Sequence, residues 1–216
     1  MFDNVKKQPK TEIKYDAVLT EEQKNAKELI LQTPVNFLIG KAGSAKTFLA
    51  CAVGLDLLFK KQIEKIIITR PTVSTEDNGF LPGTFEEKME PWLVPIRTNM
   101  RKFYNKPDKL KELEHKKIIE TVSLTYFRGQ TFDNAFCIVD EFENLTHSQL
   151  KMAIGRLGKN STMVFCGDAD QIDLKRPIDS AFYSIDRLQG SKYVSIIELK
   201  ENHRHPAVEE LLELLK

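Results

Sequence analysis

The stretch that decides the fold is GKAGSAKT, residues 40–47. It follows the pattern G-x-x-x-x-G-K-[ST], in which backbone N–H groups cradle phosphates, the lysine reaches the β and γ oxygens, and the hydroxyl binds Mg²⁺. Gly40, Lys46 and Thr47 fit this pattern, whereas Ala45 stands where the second glycine is expected. The match is incomplete, so the flanking sequence has to support it.

The flanking sequence predicts a strand before the loop and a helix after it. The run VNFLI, residues 35–39, is short and apolar and follows Pro34, which is typical of a buried strand. The run FLACAVGLDLLFKK, residues 48–61, is apolar on most faces and predicts a buried helix. The partial positive charge of a helix N-terminus favours an anionic phosphate at such a loop. The alternative for this segment alone is an ordinary glycine turn.

Ala45 raises a question about the backbone of the loop. Its methyl group is tolerated if the residue has helical φ, and Gly43 then supplies any positive φ that the turn needs. We therefore expect the substitution to narrow the phosphate pocket or to weaken nucleotide binding, while Lys46 stays in place.

Composition indicates one soluble domain. The 216 residues contain 32 Lys and Arg against 31 Asp and Glu, so no global basic field favours nucleic acid, and such binding would need a local patch. The 3 cysteines lie apart inside apolar runs, which is typical of core residues in a reducing compartment. The start lacks an apolar leader and no run approaches a membrane span, so we expect a cytoplasmic protein without a membrane partner.

The rest of the chain alternates strands with helices. A capping box of Thr20 and Gln23 starts a helix over about residues 21–32, whereas residues 1–17 are polar and predict a flexible arm. Residues 79–117 contain several prolines and predict a helical insertion. Strands covered on both faces have continuous apolar runs, so we predict a three-layer α/β fold with a mainly parallel sheet. The further predicted strands are residues 65–69, 120–124, 135–140, 162–166 and 194–199.

Two acids close the apolar run FCIVDE, residues 136–141. They fall at the carboxyl edge of a buried strand, where open α/β sheets bind ligands. Asp140 is expected to hold Mg²⁺, and Glu141 to orient the water that attacks the γ-phosphate. A strand that simply ends in an acidic turn is the alternative, but a phosphate-binding loop with Lys46 and Thr47 needs a partner carboxylate, which favours the metal site.

A third element is CGDADQ, residues 166–171, where another apolar strand ends in a glycine turn. Gln171 is a candidate to hydrogen-bond the γ-phosphate or the attacking water, and Asp168 to fix the loop. A plain Asp-rich turn explains this segment equally well.

In this order, the segments resemble the PhoH family of single-domain P-loop ATPases, which are related to the first RecA-like domain of superfamily 1 helicases. The resemblance covers about residues 19–206, and a compact chain of this kind resembles a phage version. The family usually has Gly in place of Ala45, and Ala-Gln in place of Phe142 and Glu143. The strings that carry the resemblance are GKAGSAKT, TRPTV (69–73), GFLPGTFEEKMEPWLVP (79–95), YFRGQTF (126–132), VDEFEN (139–144) and GDADQIDL (167–174).

The resemblance implies a Mg²⁺-dependent ATPase, a possible RNA helicase, over residues 18–216. Arg204 matches an arginine that reaches the γ-phosphate, either in its own subunit or in a neighbouring one. Because a lone RecA-like domain has no second lobe, such an arginine often comes from a neighbouring subunit, and a ring, a hexamer, is implied. Arg70 is a candidate contact to a nucleic-acid backbone, and Arg128 either binds substrate or pairs with an acid. The implied nucleotide-binding residues are Gln23, as an adenine reader or only a cap, with Gly40, Lys41, Ala42, Gly43, Ser44, Ala45, Lys46, Thr47 and Phe48.

Two function classes remain. The first is an ATPase that acts on RNA or single-stranded nucleic acid, and the second is a nucleotide-dependent switch with a protein partner. Mixed aromatic and basic residues of the insertion favour the first, because such side chains stack on bases and neutralise phosphates; an amphipathic helix with solvated charges is the alternative. These residues are Trp92, Arg97, Arg101, Lys102, Phe103, Tyr104 and Lys106. In the terminal helix, a core-facing stripe is expected of Val208, Leu211, Leu212 and Leu215, with subunit packing as the alternative.

Overall fold

The computed structural model describes residues 15–71 and 85–214. Its centre is a sheet of 6 strands, all parallel, in the order β3-β2-β4-β5-β1-β6. Helices cover both faces, so the predicted three-layer α/β class is confirmed. The strands are β1 (Val35–Ile39), β2 (Lys65–Thr69), β3 (Ile119–Thr121), β4 (Ala135–Asp140), β5 (Thr162–Gly167) and β6 (Val194–Glu198).

The two faces of the sheet bury separate apolar cores. The first four helices cover one face, and α5 with a 3₁₀ segment, Ala181–Leu188, covers the other. Every residue of β4 is buried, because a central parallel strand is packed from both sides. The helices are α1 (Glu21–Gln32), α2 (Lys46–Phe59), α3 (Phe85–Phe103), α4 (Pro107–His115), α5 (His147–Ile154) and α6 (Pro206–Leu214).

Local signals placed most boundaries correctly, but β3 is shorter than predicted. It ends at Thr121 because Leu124–Phe127 turns into a 3₁₀ helix, and the sheet edge therefore stops early. The capping box that starts α1 is present, with both Thr20–Gln23 hydrogen bonds formed. No helix within the described part of the chain is long and apolar enough to span a membrane.

The segment before α1 is anchored where the structure describes it. Residues 1–14 of the predicted arm lie outside the described residues. The Tyr15 hydroxyl donates to Asp56 Oδ1 at 2.7 Å, and its ring stacks on Phe103 with 4.3 Å between centroids. Lys27 and Lys60 also contact the Asp56 carboxylate, at 2.5 and 2.9 Å. Tyr15 is therefore tied to α2 and α3 at this end of the domain.

The predicted helical insertion contains α3 and α4, while its first residues, 79–84, lie outside the described part. The prolines do not interrupt α3, which runs through both Pro91 and Pro95 and packs along α2. Pro95 is exposed, and it lacks the N–H group that would pair with the carbonyl one turn earlier in the helix. Pro107 instead lies in the first turn of α4, where no backbone N–H is needed.

The apolar stripe of α6 differs from the expectation. Leu211 is 57% exposed, so it does not face the core as predicted. Val208 is half-buried, and Leu214, which was not part of the predicted stripe, is 75% exposed. The side chains of Leu212 and Leu215 lie outside the described set. In the single chain, α6 presents apolar side chains to solvent.

Candidate nucleotide-binding site

The sheet brings the three predicted motifs to one edge. β5 lies between β1 and β4, with Ile39 in register with Gly167 and Asp140 in register with Cys166. The loop after β1, the acids after β4 and the turn after β5 therefore emerge side by side at the carboxyl ends of parallel strands. This edge is where ligands bind in open α/β sheets.

Lys46 lies at the centre of the phosphate loop. Its Nζ atom donates to the carbonyl oxygens of Gly40 and Lys41 at 2.6 and 3.0 Å and contacts Ser44 Oγ at 3.4 Å. No described side chain caps the N-terminus of α2. The loop thus combines an ammonium group with unpaired helical N–H groups, an arrangement that suits an anion.

The backbone of Ala45 corrects the expectation of a helical φ. Ala45 has φ 61° and ψ 27°, which is the left-handed conformation, and it occupies the N-cap of α2. Gly43 also has positive φ, at 95°, but it does not replace the left-handed residue at position 45. An alanine in this conformation costs about 1–2 kcal/mol. The backbone conformation at position 45 therefore favours glycine, and the alanine found there is strained.

The segment after β6 packs directly on the loop. His203 N donates to the Gly43 carbonyl at 3.1 Å. A Cβ atom built on Gly43 would lie 2.7 Å from Arg204 Cγ, so only glycine allows this close approach. The predicted γ-phosphate arginine is thus held beside the phosphate loop of its own chain.

Thr47 and Asp140 meet as the motif predicted. Thr47 Oγ1 donates to Asp140 Oδ1 at 2.7 Å. Burial raises the pKa of the Asp140 carboxyl, while the Thr47 hydrogen bond and the nearby Arg70 charge act in the opposite direction. Both are oxygen ligands at the phosphate loop, which is the donor chemistry that Mg²⁺ prefers. Thr47 and Asp140 are therefore the residues that would hold a Mg²⁺ ion at this site.

Glu141 is ion-paired with Arg70. Their side chains are 31% and 26% exposed, so the contact is half-buried. Burial raises the pKa of Glu141, the Arg70 charge lowers it, and the Asp140 charge raises it again. Arg70 was a candidate for a nucleic-acid contact or a solvated turn charge, and the structure places it on the predicted water-orienting acid.

The turn after β5 is fixed by its own side chains. Gln171 Nε2 donates to Asp168 Oδ2 at 2.5 Å, and Asp170 N donates to Asp168 Oδ1 at 3.0 Å. Asn144, which the sequence reasoning missed, accepts from Asp173 N at 2.7 Å. This hydrogen bond joins the turn after β5 to the segment after β4. The position of Asn144, shortly after the acids Asp140 and Glu141, was the signal in the sequence that could have identified it.

Glu143, one of the residues that depart from the family pattern, is buried beside the site. It is 2% exposed, and burial raises its pKa to about 8. Its Oε2 atom has no hydrogen-bond partner among the described residues. A Cβ on Gly167 would lie 2.8 Å from that oxygen, so the side chain is packed under the turn after β5. A neutral, protonated carboxyl group fits this environment better than a carboxylate.

A cavity of about 680 Å³ opens beside the loop and has room for a nucleoside. Gln23 is buried on its wall, where its Oε1 accepts from Thr20 N at 3.1 Å and its Nε2 contacts His203 Nε2 at 3.3 Å. Gln23 is thus both a helix cap and a cavity residue, as the sequence left open. The lining, which also includes residues not predicted from sequence, is Ala17, Val18, Thr20, Gln23, Gly43, Ala45, Lys46, Thr47, Phe48, Asn99, Lys102, His203 and Arg204.

Of the two alternatives left open for the insertion, the described aromatic residues favour an amphipathic helix over a base-stacking surface. Phe103 is 4% exposed and packs against Tyr15, while Tyr104 is half-buried against Phe59. The side chain of Trp92 lies outside the described set. Arg128 is exposed after the 3₁₀ turn Leu124–Phe127, and it has no ion pair with a described acid.

A parallel sheet with a phosphate loop after β1 and an acid after β4 defines a P-loop nucleoside triphosphatase fold. The family described as PhoH-like protein matches residues 17–216, and the chain belongs to this family. A PhoH-like protein of Bacillus subtilis (strain 168) is 40% identical over 181 residues, 82% of this chain and 56% of that protein. Protein PhoH of Escherichia coli (strain K12) is 34% identical over 171 residues, 74% of this chain and 46% of that protein.

The chain therefore spans about half the length of these relatives. Among solved structures, the Pif1 helicase from Candida albicans is similar, with a TM-score of 0.49 and 19% identity over 92% of this chain and 43% of that chain. Likeness at this level concerns the fold only.

Proposed function

We propose that this protein binds and hydrolyses ATP with Mg²⁺. The observation that carries the proposal is the contact between Thr47 and Asp140 at 2.7 Å, beside Lys46 and Glu141 on one sheet edge. Each group has a distinct task, because phosphoryl transfer depends mainly on positioning and on neutralising charge.

Different residues bind the phosphates, the metal and the attacking water. Backbone N–H groups at the start of α2 bind the β and γ phosphates, and Lys46 exchanges its carbonyl contacts for phosphate oxygens. Thr47 and Asp140 would hold Mg²⁺, which would neutralise charge on the phosphates. Glu141 orients the attacking water and accepts its proton.

Two further side chains act on the γ-phosphate. Gln171 hydrogen-bonds it or the attacking water after leaving Asp168. Arg204 stabilises charge in the transition state, either from the same chain, where its side chain lies beside Gly43, or from a neighbouring subunit. The exposed Leu211 and Leu214 on α6 support packing between subunits, so we include a homo-oligomeric ring, a hexamer, in the proposal.

The proposed substrate is RNA or single-stranded nucleic acid, which the protein engages as a helicase-like motor in the cytoplasm, or in the host cytoplasm if a phage encodes it. Support comes from Arg70, which follows β2 and lies beside Glu141, the residue proposed to orient the attacking water. The buried Phe103 and the near-neutral charge weigh toward the second candidate, a nucleotide-dependent switch with a protein partner. We also propose that residues 1–17 form an arm and that residues 18–216 form the ATPase domain.

The experiment that separates these candidates is an ATPase assay with and without single-stranded RNA, at low and moderate salt. Stimulation that weakens as salt rises supports the motor, because phosphate contacts are salt-dependent. ATP hydrolysis without RNA binding or stimulation supports the switch. The absence of hydrolysis under every condition would contradict both.

A further inference from the structure

The ion pair between Arg70 and Glu141 joins two groups with different tasks. Glu141 follows β4 and Arg70 follows β2, and these strands are neighbours in the sheet with Thr69 in register with Val139. The pair is therefore set by adjacent strands rather than by a mobile loop. Glu141 has left-handed backbone, with φ 52°, which directs the residue out of the strand line.

The pair restrains the chemistry of Glu141. The Glu141 oxygen that accepts from the Arg70 guanidinium is less available to a water molecule. Removal of Arg70 from the carboxylate would free that oxygen to orient water.

Arg70 remains reachable from solvent. Its side chain is 26% exposed, so an anion can approach the guanidinium while it still contacts Glu141. Arginine binds phosphate in the same bidentate geometry as carboxylate, and one group can therefore replace the other. The proposed function offers two anions with this chemistry, the phosphates of ATP and the backbone phosphates of a single strand, and only the second would couple hydrolysis to the bound strand.

We propose that Arg70 is a latch that holds Glu141 until a nucleic-acid phosphate takes its place. The inference rests on the proposed ATPase and adds its regulation, because substrate binding at Arg70 frees the acid that activates water. Arg70 is a positioning residue in this scheme, since it acts on the reaction through Glu141. Hydrolysis is slow while the latch is closed and faster when single-stranded RNA is bound.

The test compares Arg70→Gln and Arg70→Lys with the wild type by steady-state ATPase rates, with and without a single-stranded RNA oligonucleotide. A partly exposed ion pair of this kind favours its closed form by about 2- to 5-fold. Arg70→Gln should therefore raise the RNA-free kcat by about that factor, leave the KM for ATP unchanged, and lose stimulation by RNA. Arg70→Lys keeps the charge and should lie between the two.

Lys65→Ala is the matched control, because Lys65 begins the same strand and forms an ion pair with Glu120 at 2.9 Å, far from the sheet edge that binds phosphate. It should hydrolyse ATP and respond to RNA as the wild type does. Thermal melting of each variant establishes that it is folded.

Three outcomes would overturn the latch. They are a lower RNA-free kcat in Arg70→Gln, an unchanged kcat in that variant, and full RNA stimulation retained in it. Each requires a wild type that hydrolyses ATP, so it differs from failure of the proposed function, in which the wild type itself is inactive.

Discussion

Replacement of Ala45 by glycine should stabilise the protein, although it removes a methyl group from a half-buried site. Ala45 has φ 61° and ψ 27°, a conformation that costs alanine about 1–2 kcal/mol and glycine almost nothing. Glycine also increases the entropy of the unfolded chain, which costs about 0.4–1 kcal/mol. The difference predicts a net gain of about 0.5–1 kcal/mol for Ala45→Gly, or about 1–4 °C in Tm for a domain of this size.

The control is Ala42→Gly in the same loop. Ala42 is not among the residues with positive φ, so the glycine there gains no relief and should lower the free energy of unfolding by about 0.4–1 kcal/mol. The two variants differ by one methyl group each from the same parent, and they should shift stability in opposite directions. Urea denaturation without nucleotide measures both, and an equal loss in the two variants would refute the left-handed assignment.

Ala45→Gly also tests whether the methyl group of Ala45 weakens nucleotide binding. The loop already holds the left-handed backbone that a glycine would adopt, and the methyl group lines the cavity. We therefore expect Ala45→Gly to bind ATP within about 3-fold of the parent, as measured by calorimetry. A much larger gain in affinity would mean that the methyl group obstructs the phosphate.

Three further predictions concern stability. In the folded protein Glu143 keeps its proton up to about pH 8, whereas in the unfolded chain it loses the proton near pH 4.5. The free energy of unfolding of the wild type should therefore fall, relative to that of Glu143→Gln, by about 1.4 kcal/mol per pH unit between these values. Urea midpoints of the two proteins that change in parallel with pH would contradict this. Tyr15→Phe should lower the free energy of unfolding by about 1 kcal/mol through loss of the hydrogen bond to Asp56, and an unchanged Tm would contradict the anchoring role. Gly167→Ala should cost about 1–3 kcal/mol in urea denaturation, because its Cβ would lie 2.4 Å from Phe142 Cε1; wild-type stability would contradict this packing.

The sequence predicted the sheet well because its strands are continuous apolar runs, and it predicted α1 because the capping signal is local. The contact of Thr47 with Asp140 was also foreseeable, since a phosphate loop requires a partner acid at the same edge. Conformation at Ala45 was not foreseeable from residue type alone, because alanine prefers helical φ and the loop overrides that preference.

Tertiary contacts account for the remaining differences. The Arg70–Glu141 pair depends on β2 and β4 being neighbours, an order that alternating strands and helices do not specify. Phe103 is aromatic beside basic residues, a pattern shared by base-stacking surfaces and by amphipathic helices, and only its packing on Tyr15 distinguishes them. Such pairings join residues far apart in the chain, which local periodicity does not encode.

The central claim is that Lys46 and Glu141 form a hydrolytic site for ATP. The most direct measurement compares ATP binding and turnover in the wild type, Lys46→Ala and Glu141→Gln. Glu141→Gln should bind ATP as the wild type does and lose turnover by about 100-fold or more, because it keeps the phosphate contacts and loses the proton acceptor. Lys46→Ala should lose turnover as well, together with much of the binding, because it lacks the ammonium group. Wild-type rates of hydrolysis in both variants would contradict the account.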